Sequence, residues 1–131
     1  MKLLKLEDLA DGRRARLLEA FEVRLPDGRL VQVPAGFVVD FASTPRILWS
    51  ILPPRGRYSR AAVVHDWLYR TQGVSRKYAD DVFLWMMEEL EVPLWKRRVM
   101  YRGVRVWGWR TWRKHAQTAR ANAMWAQAWK V

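Results

Sequence analysis

The chain has 131 residues, half of them hydrophobic, which suits one folded domain with a modest core and excludes a disordered protein. It contains no cysteine, so disulfide frameworks and thiolate metal sites are also excluded. The formal charge of +11, from 24 Lys and Arg against 13 Asp and Glu, indicates an anionic partner or a broad solvated basic face.

No segment approaches the about 20 apolar residues that a membrane span requires. The opening stretch MKLLKLEDLADGRR also lacks the apolar run and cleavage site of a signal peptide. We therefore expect a single domain over residues 1–131, produced in the cytoplasm and without a transmembrane segment.

Residues 1–43 predict a β-rich front. The segments AFEVRL and LVQVP alternate apolar and polar residues on either side of PDGR, a strong turn sequence, and this pattern predicts a hairpin. The following AGFVVDF predicts a further short strand. In STPRILWSILPP, Ser43 or Thr44 can cap a short helix, with Pro45 at its first position and Pro53-Pro54 as its end.

The remaining residues predict helices. Residues 44–91 hold that short helix and a helix pair: one helix begins at Ser59 and ends near Thr71, and Ser75 caps the next. Residues 92–131 form a basic, tryptophan-rich tail, and a third helix runs through it from Pro93. This helix can bend at its glycines, and a fourth helix that begins at His115 is an alternative for the last residues. The predicted class is α+β, a small N-terminal β-hairpin or sheet followed by a helical half with an antiparallel helix pair.

One carboxylate of this helix pair lies on an apolar margin. At 100° per residue, Asp80 falls at the edge of the stripe that holds Phe83 and Met87. An unpaired buried charge is costly, and His65 on the facing helix is the natural partner. We expect their side chains to lie within hydrogen-bonding distance.

Two interpretations of this pair are open. An imidazole that a carboxylate holds through one nitrogen can use the other as a general base. Alternatively, His65, Asp80 and Tyr69 form a structural network that ties two helices together.

Asp66 and Asp40 suggest a metal site beside this pair. Both acids stand in otherwise apolar runs, and two carboxylates with backbone carbonyls and water suit calcium. The absence of cysteine and the remoteness of His115 argue against zinc.

The motif HDWLYR…ADDVF resembles the central helix pair of secreted phospholipases A2, above all their bacterial and fungal branch. In that family one helix carries His-Asp-x-x-Tyr, and the next supplies an Asp three residues before a Phe. The resemblance implies that His65 activates water, Asp80 is its dyad partner and Tyr69 is a supporting phenol.

The stretch DFASTP likewise resembles the calcium loop of that branch. It implies that the Asp40 carboxylate, the Phe41 carbonyl and the Asp66 carboxylate bind calcium. The disulfide-forming cysteines of that family are absent here, and the spacing from His65 to Asp80 is shorter.

A second resemblance extends from about Val33 to Trp112. The segments VPAGFVVDFASTPR, LPPRGRY and HDWLY are similar to an uncharacterised family of short proteins encoded by bacteriophages and prophages. Membership of that family implies a virion or tail component, or a factor that acts on the host envelope. The protein would then be made in the host cytoplasm and be virion-associated.

The tail carries ten basic residues and no acidic one from Val92 onward, together with six of the nine tryptophans. Helical spacing places five of these side chains on one stripe: Arg98, Arg102, Arg105, Trp109 and Trp112. Such a stripe suits an anionic membrane surface, nucleic acid, or a partner protein such as another virion component.

The sequence thus predicts a phage-encoded protein with a phospholipase-A2-like centre that hydrolyses phospholipid esters with the help of calcium. A non-enzymatic virion or tail assembly protein is the first alternative. A nucleic-acid-binding accessory protein is the second.

Overall fold

The computed structural model describes residues 4–10, 14–40 and 59–128, with the side chains of the last segment as far as residue 116. Within these residues, two small antiparallel sheets precede three helices, so the predicted α+β class is confirmed. The predicted helix over residues 43–54 lies outside the described residues.

The predicted hairpin is present as the two-stranded sheet. It pairs β3 (Phe21–Arg24) with β4 (Leu30–Val33), and Phe21 is opposite Val33. Gly28 takes a left-handed φ of +91° in the turn, where an L side chain would be strained. The PDGR turn therefore fixes the register that puts Phe21, Val23, Val31 and Val33 on the buried face.

The three-stranded sheet has the order β1 (Leu6–Asp8), β2 (Arg14–Leu17), β5 (Val38–Asp40). The last strand was predicted from AGFVVDF, whereas β1 and β2 were not predicted. In β2, Ala15 and Leu17 are buried while Arg14 and Arg16 are exposed. This sheet brings Asp40, at the end of β5, towards the helices.

The helix pair follows the predicted caps closely. Helix α1 spans Ser59–Thr71 and α2 spans Arg76–Glu89, where the Ser75 hydroxyl accepts a hydrogen bond of 3.1 Å from the Tyr78 N–H. The chain leaves α1 through Gln72, whose φ is 51°, a left-handed conformation. Residue Glu91, with a φ of 58°, ends the turn after α2.

Helix α3 spans Leu94–Ala128 as one continuous element of 35 residues. The separate fourth helix from His115 was therefore wrong, since the helical hydrogen bonding continues past that residue. The three helices pack on one another, and α1 also contacts β4 and β5. None of the helices in the described part of the chain is long and apolar enough to cross a membrane.

Gly108 has a packing role in α3. A Cβ atom built on it would overlap the Tyr69 hydroxyl and lie 3.2 Å from Nη1 of Arg76. Tyr69 is buried, and its ring meets that of Trp112 edge-on with 5.2 Å between centroids. The missing side chain at Gly108 therefore lets α3 approach α1 closely enough to cover Tyr69.

We expect Gly108→Ala to destabilise the protein by about 1–3 kcal/mol, because overpacking outweighs the about 1 kcal/mol by which alanine favours a helix over glycine. Urea unfolding measures the change. Val106→Ala is the control, since Val106 is 58% exposed and its replacement should leave stability nearly unchanged. Equal stability of the Gly108 variant and the wild type would contradict the close packing.

Candidate functional site

Asp80 lies at the centre of the helical half and is fully buried. Its Oδ1 is 2.7 Å from Nε2 of His65 and accepts a hydrogen bond of 2.6 Å from the Tyr69 hydroxyl. Its Oδ2 accepts a hydrogen bond of 2.7 Å from Arg105 and a longer one of 3.4 Å from Arg76. The predicted contact between His65 and Asp80 is confirmed.

Helical spacing explains how these groups meet. His65 and Tyr69 are one turn apart on α1, and their ring centroids lie 4.2 Å apart. On α2, Phe83 follows Asp80 by three residues and places its ring 4.7 Å from that of His65. The imidazole is therefore held between two aromatic rings, with 14% of its side chain exposed.

The bonding of Nε2 determines what His65 can do. When Asp80 is a carboxylate it only accepts hydrogen bonds, so Nε2 carries the proton of neutral His65. Nδ1 is then left with the lone pair, and this nitrogen can accept a proton from a neighbouring group. The arrangement matches a general base oriented through its second nitrogen.

Tyr69 acts as a permanent donor to Asp80. Burial, together with the hydrogen bond to that carboxylate, raises the pKa of Tyr69 well above the usual value of a phenol. The hydroxyl therefore stays protonated at any physiological pH. This fits the supporting position that the sequence assigned to Tyr69.

Arg76 and Arg105 were not predicted as partners of Asp80 from the sequence. Arg105 was predicted on the stripe that would meet an anionic surface or a partner protein, whereas its guanidinium reaches the buried Asp80. Trp112 of the same stripe also faces inward, against Tyr69. Arg76 stands one turn before Asp80, a spacing that could have revealed it.

The remaining stripe residues do face solvent: Arg98, Arg102 and Trp109 are exposed. Helical spacing placed these three residues correctly relative to one another. It could not show which neighbouring positions of α3 are packed against the other helices and which are exposed.

Asp66 is buried one residue from His65 and has its own partners. Its Oδ2 accepts a hydrogen bond of 3.0 Å from the Asp40 N–H, and its Oδ1 lies 3.3 Å from Nε of Arg70. Burial raises the pKa of Asp66, while the charge of Arg70 and the Asp40 hydrogen bond act in the opposite direction. The structure thus brings the predicted calcium residues Asp40 and Asp66 together, with an arginine beside them.

The fit to calcium is incomplete in what the structure describes. Arg70 already places a positive charge against the Asp66 carboxylate, and Phe41 lies outside the described residues. Within those residues there is no group of three or more His, Asp or Glu side chains suited to a metal. Calcium binding therefore stays a prediction.

His115 is less remote than the sequence suggested. Burial lowers the pKa of His115, the charges of Arg70 and Lys114 lower it further, and Asp40 acts the other way. The histidine of α3 thus lies within electrostatic range of the ends of α1 and β5.

The family model described as "Protein of unknown function (DUF1353)" matches residues 15–104, and the chain belongs to this family. The matched residues include His65, Tyr69 and Asp80, and they end one position before Arg105. No solved structure matches the chain.

The chain is also similar to "Uncharacterized protein y4jT" of Sinorhizobium fredii (strain NBRC 101917 / NGR234), with 36% identity over 85 residues. The alignment covers 63% of this chain and 25% of that protein. The chain therefore matches only about a quarter of the length of this relative.

We expect Asp80→Asn to cost about 2–4 kcal/mol in the free energy of unfolding, because it leaves two partly buried arginines and the His65 imidazole without their charged partner. Urea or thermal unfolding measures the loss. Asp81→Asn is the matched control: Asp81 is the next residue on α2, and its bonds to Lys77 and Tyr101 are exposed. Similar losses for both variants would show that Asp80 is not the organising charge.

Proposed function

We propose that this protein is a phage-encoded hydrolase that cleaves carboxylic esters, with phospholipids of the host envelope as its substrate class. One observation carries the proposal: Nε2 of His65 is 2.7 Å from a fully buried carboxylate, while part of the imidazole stays exposed. The local resemblance to secreted phospholipases A2 suggests the ester, and the resemblance to phage-encoded proteins suggests the context.

The proposed chemistry requires only one proton carrier. Nδ1 of His65 takes a proton from water as the water oxygen bonds to the ester carbonyl carbon. The tetrahedral intermediate then collapses, the bond to the alcohol oxygen breaks, and the imidazolium returns its proton to that oxygen. The products are a fatty acid and the remaining alcohol.

Asp80 serves this cycle by holding the imidazole. Its carboxylate fixes the ring through Nε2 and faces the positive charge that forms when Nδ1 is protonated. Arg76 and Arg105 compensate much of the Asp80 charge, so its main contribution is orientation. These additional contacts make the centre more rigid than a histidine and an aspartate that contact only each other.

Calcium remains part of the proposal as a ligand of Asp66, Asp40 and the Phe41 carbonyl. It would supply a Lewis acid that stabilises the oxyanion. The proton transfers at His65 do not pass through it.

The first alternative is a virion or tail assembly protein in which the same centre is structural. The observation that favours it is that Asp80 joins all three helices, through His65 and Tyr69 of α1 and Arg105 of α3. A scaffold needs that connection, but it does not need the imidazole to keep part of its surface accessible to solvent.

Release of fatty acid from phospholipid vesicles distinguishes these functions. We expect His65→Gln to reduce turnover by a factor of about 100 or more while the protein stays folded, because glutamine cannot accept a proton near neutral pH. His115→Gln is the matched control, since these are the two histidines of the chain, and it should keep activity. A folded wild-type protein without turnover would support the scaffold instead.

Thermal unfolding with and without millimolar calcium tests the metal. Ligands that bind only the folded state stabilise it, so we expect a rise in Tm for the wild type and none for Asp66→Asn. Arg70→Gln should show a larger rise, because it removes the competing cation. The same response in all three proteins would contradict a calcium site at Asp66.

A further inference from the structure

The side of α3 that faces away from the other helices carries a regular stripe, which we call the outer stripe: Trp95, Arg98, Arg102, Val106, Trp109 and Arg113. These residues follow one another at steps of three and four, so they lie on one line along the helix. All six are exposed. At 1.5 Å per residue the line is about 27 Å long.

The apolar residues of the outer stripe are exposed to water, although burial of such side chains is favourable. Trp95 is 56% exposed, Val106 58% and Trp109 44%. Large apolar side chains gathered on one face indicate a surface that another body covers.

The charge of this surface specifies what covers it. Arg98, Arg102 and Arg113 lie on the same line as the apolar residues, and the chain contains no acidic residue after Glu91. A second copy of this face would meet it with charge of the same sign, so symmetric pairing is disfavoured. A partner that complements this surface carries negative charge and also has apolar groups that can contact the tryptophans and Val106.

The tryptophan rings distinguish a lipid surface from nucleic acid. The guanidinium of Arg110 lies 5.5 Å from the ring centroid of Trp109, and that of Arg113 lies 5.8 Å from it. Lys96 stands 5.6 Å from the centroid of Trp95. Cations on the ring faces hinder stacking on bases, but they place positive charge beside an indole, as the headgroup region of a bilayer requires.

We propose that the outer stripe of α3 binds the surface of an anionic phospholipid bilayer. The helix lies parallel to the membrane plane, with its arginines on lipid phosphates and its tryptophans and Val106 at the headgroup level. Arg105 and Trp112 lie beside the outer stripe, on the flank of α3 that turns towards the other helices, and keep their contacts with Asp80 and Tyr69. The proposal does not depend on ester hydrolysis, because it requires no chemistry at His65.

The experiment measures partitioning of the full chain onto vesicles of non-hydrolysable ether-linked phosphatidylcholine, with and without ether-linked phosphatidylglycerol. We expect binding that rises with phosphatidylglycerol, falls with salt and shifts tryptophan fluorescence to the blue. Arg98→Glu with Arg102→Glu should weaken partitioning by at least about tenfold, since each basic residue near such a surface contributes appreciably.

The matched control is Arg16→Glu with Arg24→Glu, which makes the same change in net charge at exposed positions of the two sheets. It should weaken partitioning much less. A second variant, Trp95→Gln with Trp109→Gln, alters no charge and should reduce both partitioning and the blue shift. The residues changed in all three double variants are exposed, and circular dichroism verifies that each variant folds.

The possible results separate clearly. Equal losses from the two charge reversals would overturn the proposal, because net charge alone would then govern binding. Binding to DNA without binding to vesicles would also overturn it, as would the absence of vesicle binding in the wild type. Hydrolysis of a short-chain phospholipid presented as monomers should be unchanged in the outer-stripe variants, so failure of one proposal is distinguishable from failure of the other.

Discussion

The helical half of this protein depends on one buried carboxylate. Asp80 of α2 is inaccessible to solvent, yet both of its oxygens have two partners each, drawn from all three helices. A buried charge without such partners would cost several kcal/mol, on the order of what stabilises a whole domain. The positions of α1 and α3 relative to α2 therefore follow from the need to satisfy this group.

The same requirement explains several features that otherwise look unrelated. Gly108 lacks a side chain where α3 passes the Tyr69 hydroxyl, and that hydroxyl donates to Asp80. Arg76 reaches Asp80 and also donates a hydrogen bond of 3.0 Å to the Val104 carbonyl of α3. Gln72, just after α1, donates one of 2.7 Å to the Trp112 carbonyl. Each contact holds α3 in a single rotation about its axis.

Local signals in the sequence were sufficient for much of the fold. The PDGR turn predicted the hairpin, Ser75 predicted the start of α2, and the position of Asp80 on the wheel predicted its contact with His65. The first two inferences succeed because they rest on residues only a few positions apart. The third succeeds because α1 and α2 are consecutive helices and the wheel shows which side chain of α2 needs a partner.

The orientation of α3 could not be predicted in the same way. Arginine and tryptophan occur all around this helix, so composition does not distinguish Arg105, which meets Asp80, from Arg102, which faces solvent. That difference is set by residues 25 positions away in the chain. The hydrophobic pattern also cannot predict the role of Gly108, because that residue contributes by leaving space for the Tyr69 hydroxyl.

The attachment of α3 through Arg105 has a consequence for folding. The α1–α2 pair alone would hold Asp80 with Arg76, His65 and Tyr69, but it would leave one side of that cluster uncovered until α3 docked. Because contacts to Asp80 come from segments far apart in sequence, the helical half should form as one cooperative unit, with no stable two-helix intermediate. A basic helix thereby becomes an indispensable piece of the core.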